Sequence, residues 1–198
     1  MNDPFAVLIA SAVSILGTLA SVWLKNKLEY KKENCLESRS KAGSNVYQAL
    51  KFVQSQTDCD RAYVFEFHNG EHFFSGKGQQ KFSCTYEFVK PGVSSEASNS
   101  QNHRVSNFSV FMDSIICQEV FDCLDTSLLE DPAFQSILRS KGVESVVNVP
   151  LKTLNGNIIG ILGIEYLDKV DDIRVDNKET NYIEFLKRQS RLVAGYLA

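Results

Sequence analysis

The chain is short of the features that usually announce a chemistry. It contains no CxxC pair, and its five cysteines are an odd number. Both facts argue against a disulfide framework and against a structural zinc site. Free thiols in a reducing compartment fit instead. There is no basic block in the globular part, and the net charge is −3. That speaks against a nucleic-acid partner. Gly76-Lys77-Gly78 lacks the longer glycine frame and the following helix of a phosphate loop, so it reads as a turn. His68 and His72 stand four apart with no third ligand nearby, so no metal is expected. No lysine or arginine precedes Lys25, and no charge interrupts Pro4 to Leu24.

That last absence defines the first feature that is present. At about 1.5 Å per residue, an uncharged run of this length spans about 30 Å, the thickness of a bilayer core. Trp23 sits at its end, where an interfacial aromatic belongs. A signal peptide wants a basic start and a shorter apolar core, whereas the only charge here before the run is Asp3. We therefore expect a transmembrane anchor over residues 1–25, in contact with lipid through 4–24. Lys25, Lys27, Lys31 and Lys32 follow it, so the positive-inside rule places the rest in the cytoplasm, at the inner membrane of the cell. Ala6, Ala10, Ser14 and Thr18 form a stripe of small residues. Such a stripe suits a helix pair, although small residues are common in spans. Residues 26–42 are polar and read as a juxtamembrane linker, either a solvated helix or a flexible segment. Residues 43–198 form the folded domain.

Within that domain, Val46, Tyr47, Leu50 and Val53 mark a helix face that ends by Asp58–Asp60. Arg61 to His68 alternates as a strand, with Tyr63, Phe65 and Phe67 on one face. Phe82 to Val89 alternates likewise, with Phe82, Cys84, Tyr86 and Phe88 on one face. Gly92 to Asn107 is rich in Ser and Asn and reads as a lid. Ser109 to Leu124 has helical spacing, and Asp131-Pro132 starts another helix that Gly142 closes. Val146 to Pro150 and Ile158 to Tyr166 are apolar on both faces, so they are central strands. Asn155-Gly156 joins them as a type I′ hairpin. Gly160 and Gly163 weaken a strand unless something packs close to its backbone. Asp176 with Glu179 resembles a capping box before a last helix lined by Tyr182, Leu186, Val193 and Leu197. The fold class is α/β in the α+β sense: an antiparallel sheet with helices on both faces, preceded by one transmembrane helix.

Four observations nominate a site. Asn148 and Glu165 are polar residues in apolar strands, so each needs solvent, a neighbour or a ligand. Glu66 and Glu165 would raise one another's pKa if brought together. A strand pair held by lysine or arginine is the preferred arrangement. His68-Asn69 ends a strand beside Glu66, as the mouth of a pocket or as a turn that satisfies backbone. Cys84 belongs to a strand face, whereas Cys117 and Cys123 are nearly opposite in phase on a helix.

The valines leading to Pro150-Leu151, then Asn155-Gly156, then Ile159-Gly160-Ile161-Leu162-Gly163-Ile164, resemble the central strands of a GAF domain. The first strand, RAYVFEFHNG, suits the same family. The resemblance covers about residues 44–198. It implies a small-molecule sensor whose ligand lies between one sheet face and the helices and loops covering it. On that basis the ligand-binding candidates are Glu66, His68, Asn69, Phe73, Phe82, Tyr86, Asn148 and Glu165, with no catalytic residue, metal or cofactor. The expected function is a membrane-anchored signalling module without its own output domain, acting as a homodimer. Two alternatives stand beside it. One is a ligand-free GAF scaffold, bacterial or phage, that docks a partner protein at the membrane. The other is a thiol-dependent reductase using Cys84, Cys117 or Cys123. Near Asn107-Phe108 the lysine and the Asp-Glu pair of the cyclic-nucleotide signature are missing, and no cysteine neighbours His103-Arg104 as a bilin site requires.

Overall fold

The computed structural model describes residues 4–72, 78–176 and 181–198, and the side chains of 4–12, 28–35 and 71 lie outside that description. The chain divides into two compact units, Met1–Ala42 and Gly43–Ala198. The first unit is helical within α1 (Pro4–Thr57), so residues 26–42 are helix. The Thr18 hydroxyl donates to the Ser14 carbonyl at 2.7 Å, and the Lys27 ammonium sits 4.8 Å from the centre of the Trp23 ring. Among the described residues no helix is long and apolar enough to cross a membrane. The side chains of the first nine residues of the expected span lie outside the description.

In the second unit a six-stranded antiparallel sheet runs in the order β3-β2-β1-β6-β5-β4. The strands are β1 (Arg61–His72), β2 (Gly78–Val89), β3 (His103–Arg104), β4 (Phe121–Cys123), β5 (Ser145–Lys152) and β6 (Ile158–Tyr166). One face is covered by the end of α1 and by α4 (Tyr182–Leu197). Val46, Leu50 and Val53 of α1 pack there with Ala62, Val64, Val147, Val149, Leu162, Ile164, Leu186 and Val193. These are the alternate residues of each strand, as the two-residue period requires. The helix stops where Asp58 turns left-handed at φ 51° and its N–H closes on Gln54 O.

The other face is covered by α2 (Ser109–Asp113) and α3 (Pro132–Ser140) with their connecting turns. Here the helical spacing from Ser109 to Leu124 overstates the helix. α2 ends after five residues, passes into a π turn over Ser114–Gln118, and stops at Glu119, which is left-handed at φ 58°. Phe121 to Cys123 then pairs with β5 as an edge strand. The local apolar spacing suited a helix, but the open edge of β5 offered a ladder that no helix supplies. Cys117 and Cys123 therefore lie on different elements.

Three further expectations are corrected. The hairpin turn is longer than type I′: the Gly156 N–H bonds to Thr153 O, Thr153 N–H bonds to Asn157 O, and only Gly156 is left-handed, at φ 80°. The Ser/Asn stretch is tied to the sheet edge: Cys84 N–H donates to Ser100 O, and the Gln101 amide donates to Cys84 O at 2.7 Å. It straps β2 and leads into β3. The last helix is capped by Asn181, whose side chain accepts from Glu184 N–H, and Glu179 lies outside the described residues.

α3 starts as its Asp-Pro pair suggests, with Asp131 Oδ1 accepting from Ala133 N–H and Phe134 N–H at 3.1 Å each. Asp131→Ala is expected to cost about 1–2 kcal/mol, read as a lower denaturation midpoint at unchanged slope.

Candidate functional site

The α2/α3 face of the sheet is aromatic above and charged below. β1 supplies Tyr63 and Phe65, β2 supplies Phe82, β3 supplies His103, and the covering layer adds Phe108, Phe111 and Phe134. Their rings meet edge-on or tilted. Phe65–Phe82 centroids are 5.2 Å apart, Phe82–Phe108 5.2 Å, Phe82–His103 5.3 Å and Phe111–Phe134 4.6 Å. Such offsets favour contact between positive ring edges and negative ring faces. Between these rings, Ile137, Lys141 and Glu165 lies a cavity of about 20 Å³, room for one water.

Beneath the rings is a buried ionic cluster. Arg61 and Glu165 face each other across β1 and β6, with Arg61 Nη1 3.4 Å from Glu165 Oε2. Lys141 Nζ, which follows α3, stands 3.3 Å from Glu165 Oε1. The side chains of Arg61 and Glu165 are each 2% exposed, and that of Lys141 is 9% exposed. Arg61 Nε also donates to Ser94 O at 2.9 Å. Beside this cluster the Tyr63 hydroxyl donates to Asn148 Oδ1 at 2.8 Å, while Asn148 Nδ2 is buried with no hydrogen-bond partner. Burial, and then the Glu165 charge, push the Tyr63 phenol well above its usual range, so it stays a donor.

Burial, reinforced by the Lys141 charge, lowers the pKa of His103. The sign for stability follows from linkage. Below the ordinary histidine value near 6.5 the unfolded chain takes up a proton that folded His103 still refuses. Stability contributed by neutral His103 is therefore expected to fall as pH drops below about 6.5, down to the lowered folded value. Urea midpoints from pH 7.5 to 4.5 should fall less in His103→Asn than in the parent chain.

Of the eight candidate residues, the fold brings together Phe82, Asn148 and Glu165. Glu66, His68 and Asn69 do not join them. Strand alternation turns Glu66 and His68 to the opposite face, and His68 Nε2 pairs with Ser83 Oγ at 2.9 Å, which also accepts from Asn102 N–H. That is a strand-end polar cluster. The two carboxylates are likewise separated: Glu66 is registered opposite Gly160, and Glu165 opposite Arg61. Tyr86 leaves the site because Val64 pairs with Tyr86 while Phe65 pairs with Cys84. The extra residue, Thr85, is a bulge that shifts the alternation by one and sends Tyr86 and Phe88 to the α1/α4 face. Phe73 lies outside the described residues.

Sequence reasoning missed Arg61, Tyr63, Phe65, His103, Phe108, Phe111, Phe134 and Lys141 as site residues. Two of them carried a signal. Arg61 shares parity with Tyr63 and Phe65, and Lys141 follows Phe134 and Ile137 by seven and four, on one helical face.

Among the described residues no three His, Cys, Asp or Glu side chains converge as metal ligands. Burial pushes Cys59 and Cys84 up to about 12, and Cys123 upward too. The Asp113 carboxylate beside Cys117 raises it as well. None of these four thiols has the depressed pKa of a thiol nucleophile.

Residues 45–195 match the family model described as GAF domain. The chain belongs to the GAF family. The blue-light absorbing PixJ GAF domain of Thermosynechococcus elongatus is similar in fold, with a TM-score of 0.62 at 14% identity over 82% of this chain and 88% of that one. The phycocyanobilin-bound GAF domain of a cyanobacterial phytochrome superposes with a TM-score of 0.59 at 12% identity, over 84% of this chain and 91% of that one. At such identities the likeness is one of fold. No curated protein sequence matches this chain.

Proposed function

We propose that this GAF domain is a small-molecule binding and sensing module, not an enzyme, with its ligand on the aromatic face of the sheet. The observation that carries the reading is the ionic cluster beneath the rings. Burying two cations and a carboxylate rarely improves stability over apolar side chains of the same volume. A cluster of this kind beside an unpartnered amide suits recognition better than support. Domains related in fold hold a bilin in one recorded case. The cavity of this chain has room for about one water, so the bound state requires the covering layer to open.

The finer reading adds the uncharged run Pro4–Leu24 as a membrane anchor, the domain at residues 43–198 on the cytoplasmic side, and self-association through the helices. The nearly filled cavity of about 20 Å³ favours a second reading, a scaffold that docks a partner protein without any ligand. Thermal unfolding of the full chain in detergent, with a chemically mixed panel of ring compounds, separates them. Saturable stabilisation by at least one compound, lost in Phe82→Ala, supports the binding module. A panel that leaves the unfolding temperature unchanged throughout supports the scaffold. For the anchor, alkaline carbonate should fail to extract the chain from membranes; release into the supernatant would overturn it.

A further inference from the structure

The binding reading leaves the ligand's charge open, and the cluster bears on it. Arg61 and Lys141 bring two positive charges to the single carboxylate of Glu165. Both Glu165 oxygens are engaged, one by each cation. The polar groups left over on this face are donors. Lys141 Nζ lines the cavity and has further protons to give. The Tyr63 hydroxyl already spends its proton on Asn148 Oδ1 at 2.8 Å, which leaves Asn148 Nδ2 as a buried donor with no acceptor. The remaining walls are ring edges and faces, with the imidazole of His103 kept neutral near pH 7.

Glu87 faces the same side opposite Tyr63, but its carboxylate is occupied by Ser95 Oγ and the N–H groups of Glu96 and Ala97. The donors still free, on Lys141 and Asn148, are complementary to a single negative charge. Aromatic walls alone would also suit a cation. Lys141 stands 6.0 Å from the Tyr63 ring centre, however, and takes that role itself. Walls built of ring edges and faces accept a flat ring at small cost in ordering. We propose that the ligand is a planar aromatic monocarboxylate, its ring among Phe82, Phe108 and Phe134 and its carboxylate on Lys141 Nζ. The proposal rests on the binding-module reading and names the ligand class for the same pocket. Room for the ring comes from the covering layer, whose elements are short: α2 over Ser109–Asp113, the π turn over Ser114–Gln118 and α3 over Pro132–Ser140.

The test uses three rings that differ in charge: benzoate, benzamide and benzylammonium. Each is titrated calorimetrically into the full chain in detergent micelles. Benzoate is expected to bind about tenfold tighter than benzamide, with no saturable signal from benzylammonium. In Lys141→Met the advantage of benzoate should shrink to about twofold or less, and Lys141→Arg should retain it. If Lys141→Met does not fold, the ratio in the parent chain decides alone. Benzamide or benzylammonium binding as tightly as benzoate would overturn the charge assignment and leave a binding module in place. Absence of saturable binding by all three rings would overturn the ligand class and count against the module itself.

Discussion

Glu165→Leu is expected to lower folding stability by about 3–5 kcal/mol, among the largest single effects in the domain. The change removes no volume. It leaves Arg61 and Lys141 buried without their carboxylate, 3.4 and 3.3 Å from where its oxygens stood. An uncompensated cation in a water-poor interior pays its desolvation cost with nothing in return. Arg61 retains one hydrogen bond, to Ser94 O. Replacing all three charges together, as Arg61→Met, Lys141→Met and Glu165→Leu, should recover most of the loss, because apolar side chains of similar size carry no such cost. Urea denaturation of the single and triple variants checks both statements. A single variant within about 1 kcal/mol of the parent would mean that water already reaches the cluster. The triple variant should be stable and should bind no anionic ring, which would separate the cluster's role in recognition from its role in folding.

Much of this fold was legible because its centre is made of local signals. The valine run to Pro150, the Asn-Gly turn and the glycine-punctuated isoleucine run describe one hairpin within about 25 residues, and each signal has a physical cause. The helix faces at Val46–Val53 and Tyr182–Leu197 were legible for the same reason. What escaped was decided at a distance. Thr85 looks like an ordinary strand residue, yet it is the bulge that moves Tyr86 off the site face. Nothing in its local pattern announces this, because a bulge is a mismatch between two strands and belongs to neither alone. Phe121 reads as a helix residue until the free edge of β5 is known. Glu165 showed that it needed a partner, but one of its partners, Arg61, rests on a cross-strand register over more than one hundred residues of separation, and the other, Lys141, on how the end of α3 packs over β6.

The cavity was legible only in part, for a related reason. Phe82, Asn148 and Glu165 stood out by residue type, being aromatic or polar where a neighbour is required. The covering rings, Phe108, Phe111 and Phe134, looked like common core residues. In the fold they are core residues, and they line the cavity because the elements carrying them pack over the charged patch. A residue's share in a site of this kind is set by what lies beneath it.

Gly160→Ala is expected to be the most damaging substitution that adds a single methyl group. Gly160 lies in β6 between β1 and β5, opposite Glu66 on one side and Leu151 on the other. A Cβ there would sit far inside contact distance of the Phe65 carbonyl, with Leu151 Cδ1 at 3.1 Å beyond it. The carbonyl belongs to the main chain of β1 and cannot swing aside as a side chain would. The β1–β6 ladder must open locally, and a cost of about 3 kcal/mol follows, at the upper end for overpacking. At Gly163 the added atom would meet the Tyr63 ring and Asn148 Oδ1. Those are side chains, so Gly163→Ala should cost less stability but break the Tyr63–Asn148 hydrogen bond and reshape the floor of the cavity. Gly195 gives the control: it lies in α4, and an added methyl group there would meet nothing within 4 Å. Gly195→Ala should therefore stabilise the protein by about 0.5–1 kcal/mol through helix propensity. Denaturation midpoints of the three alanine variants at matched conditions check the order, with Gly160→Ala lowest and Gly195→Ala above the parent chain. Gly160→Ala at parental stability would show that β1 and β6 are not neighbours in the register described, and with it the facing of Arg61 and Glu165 would fall.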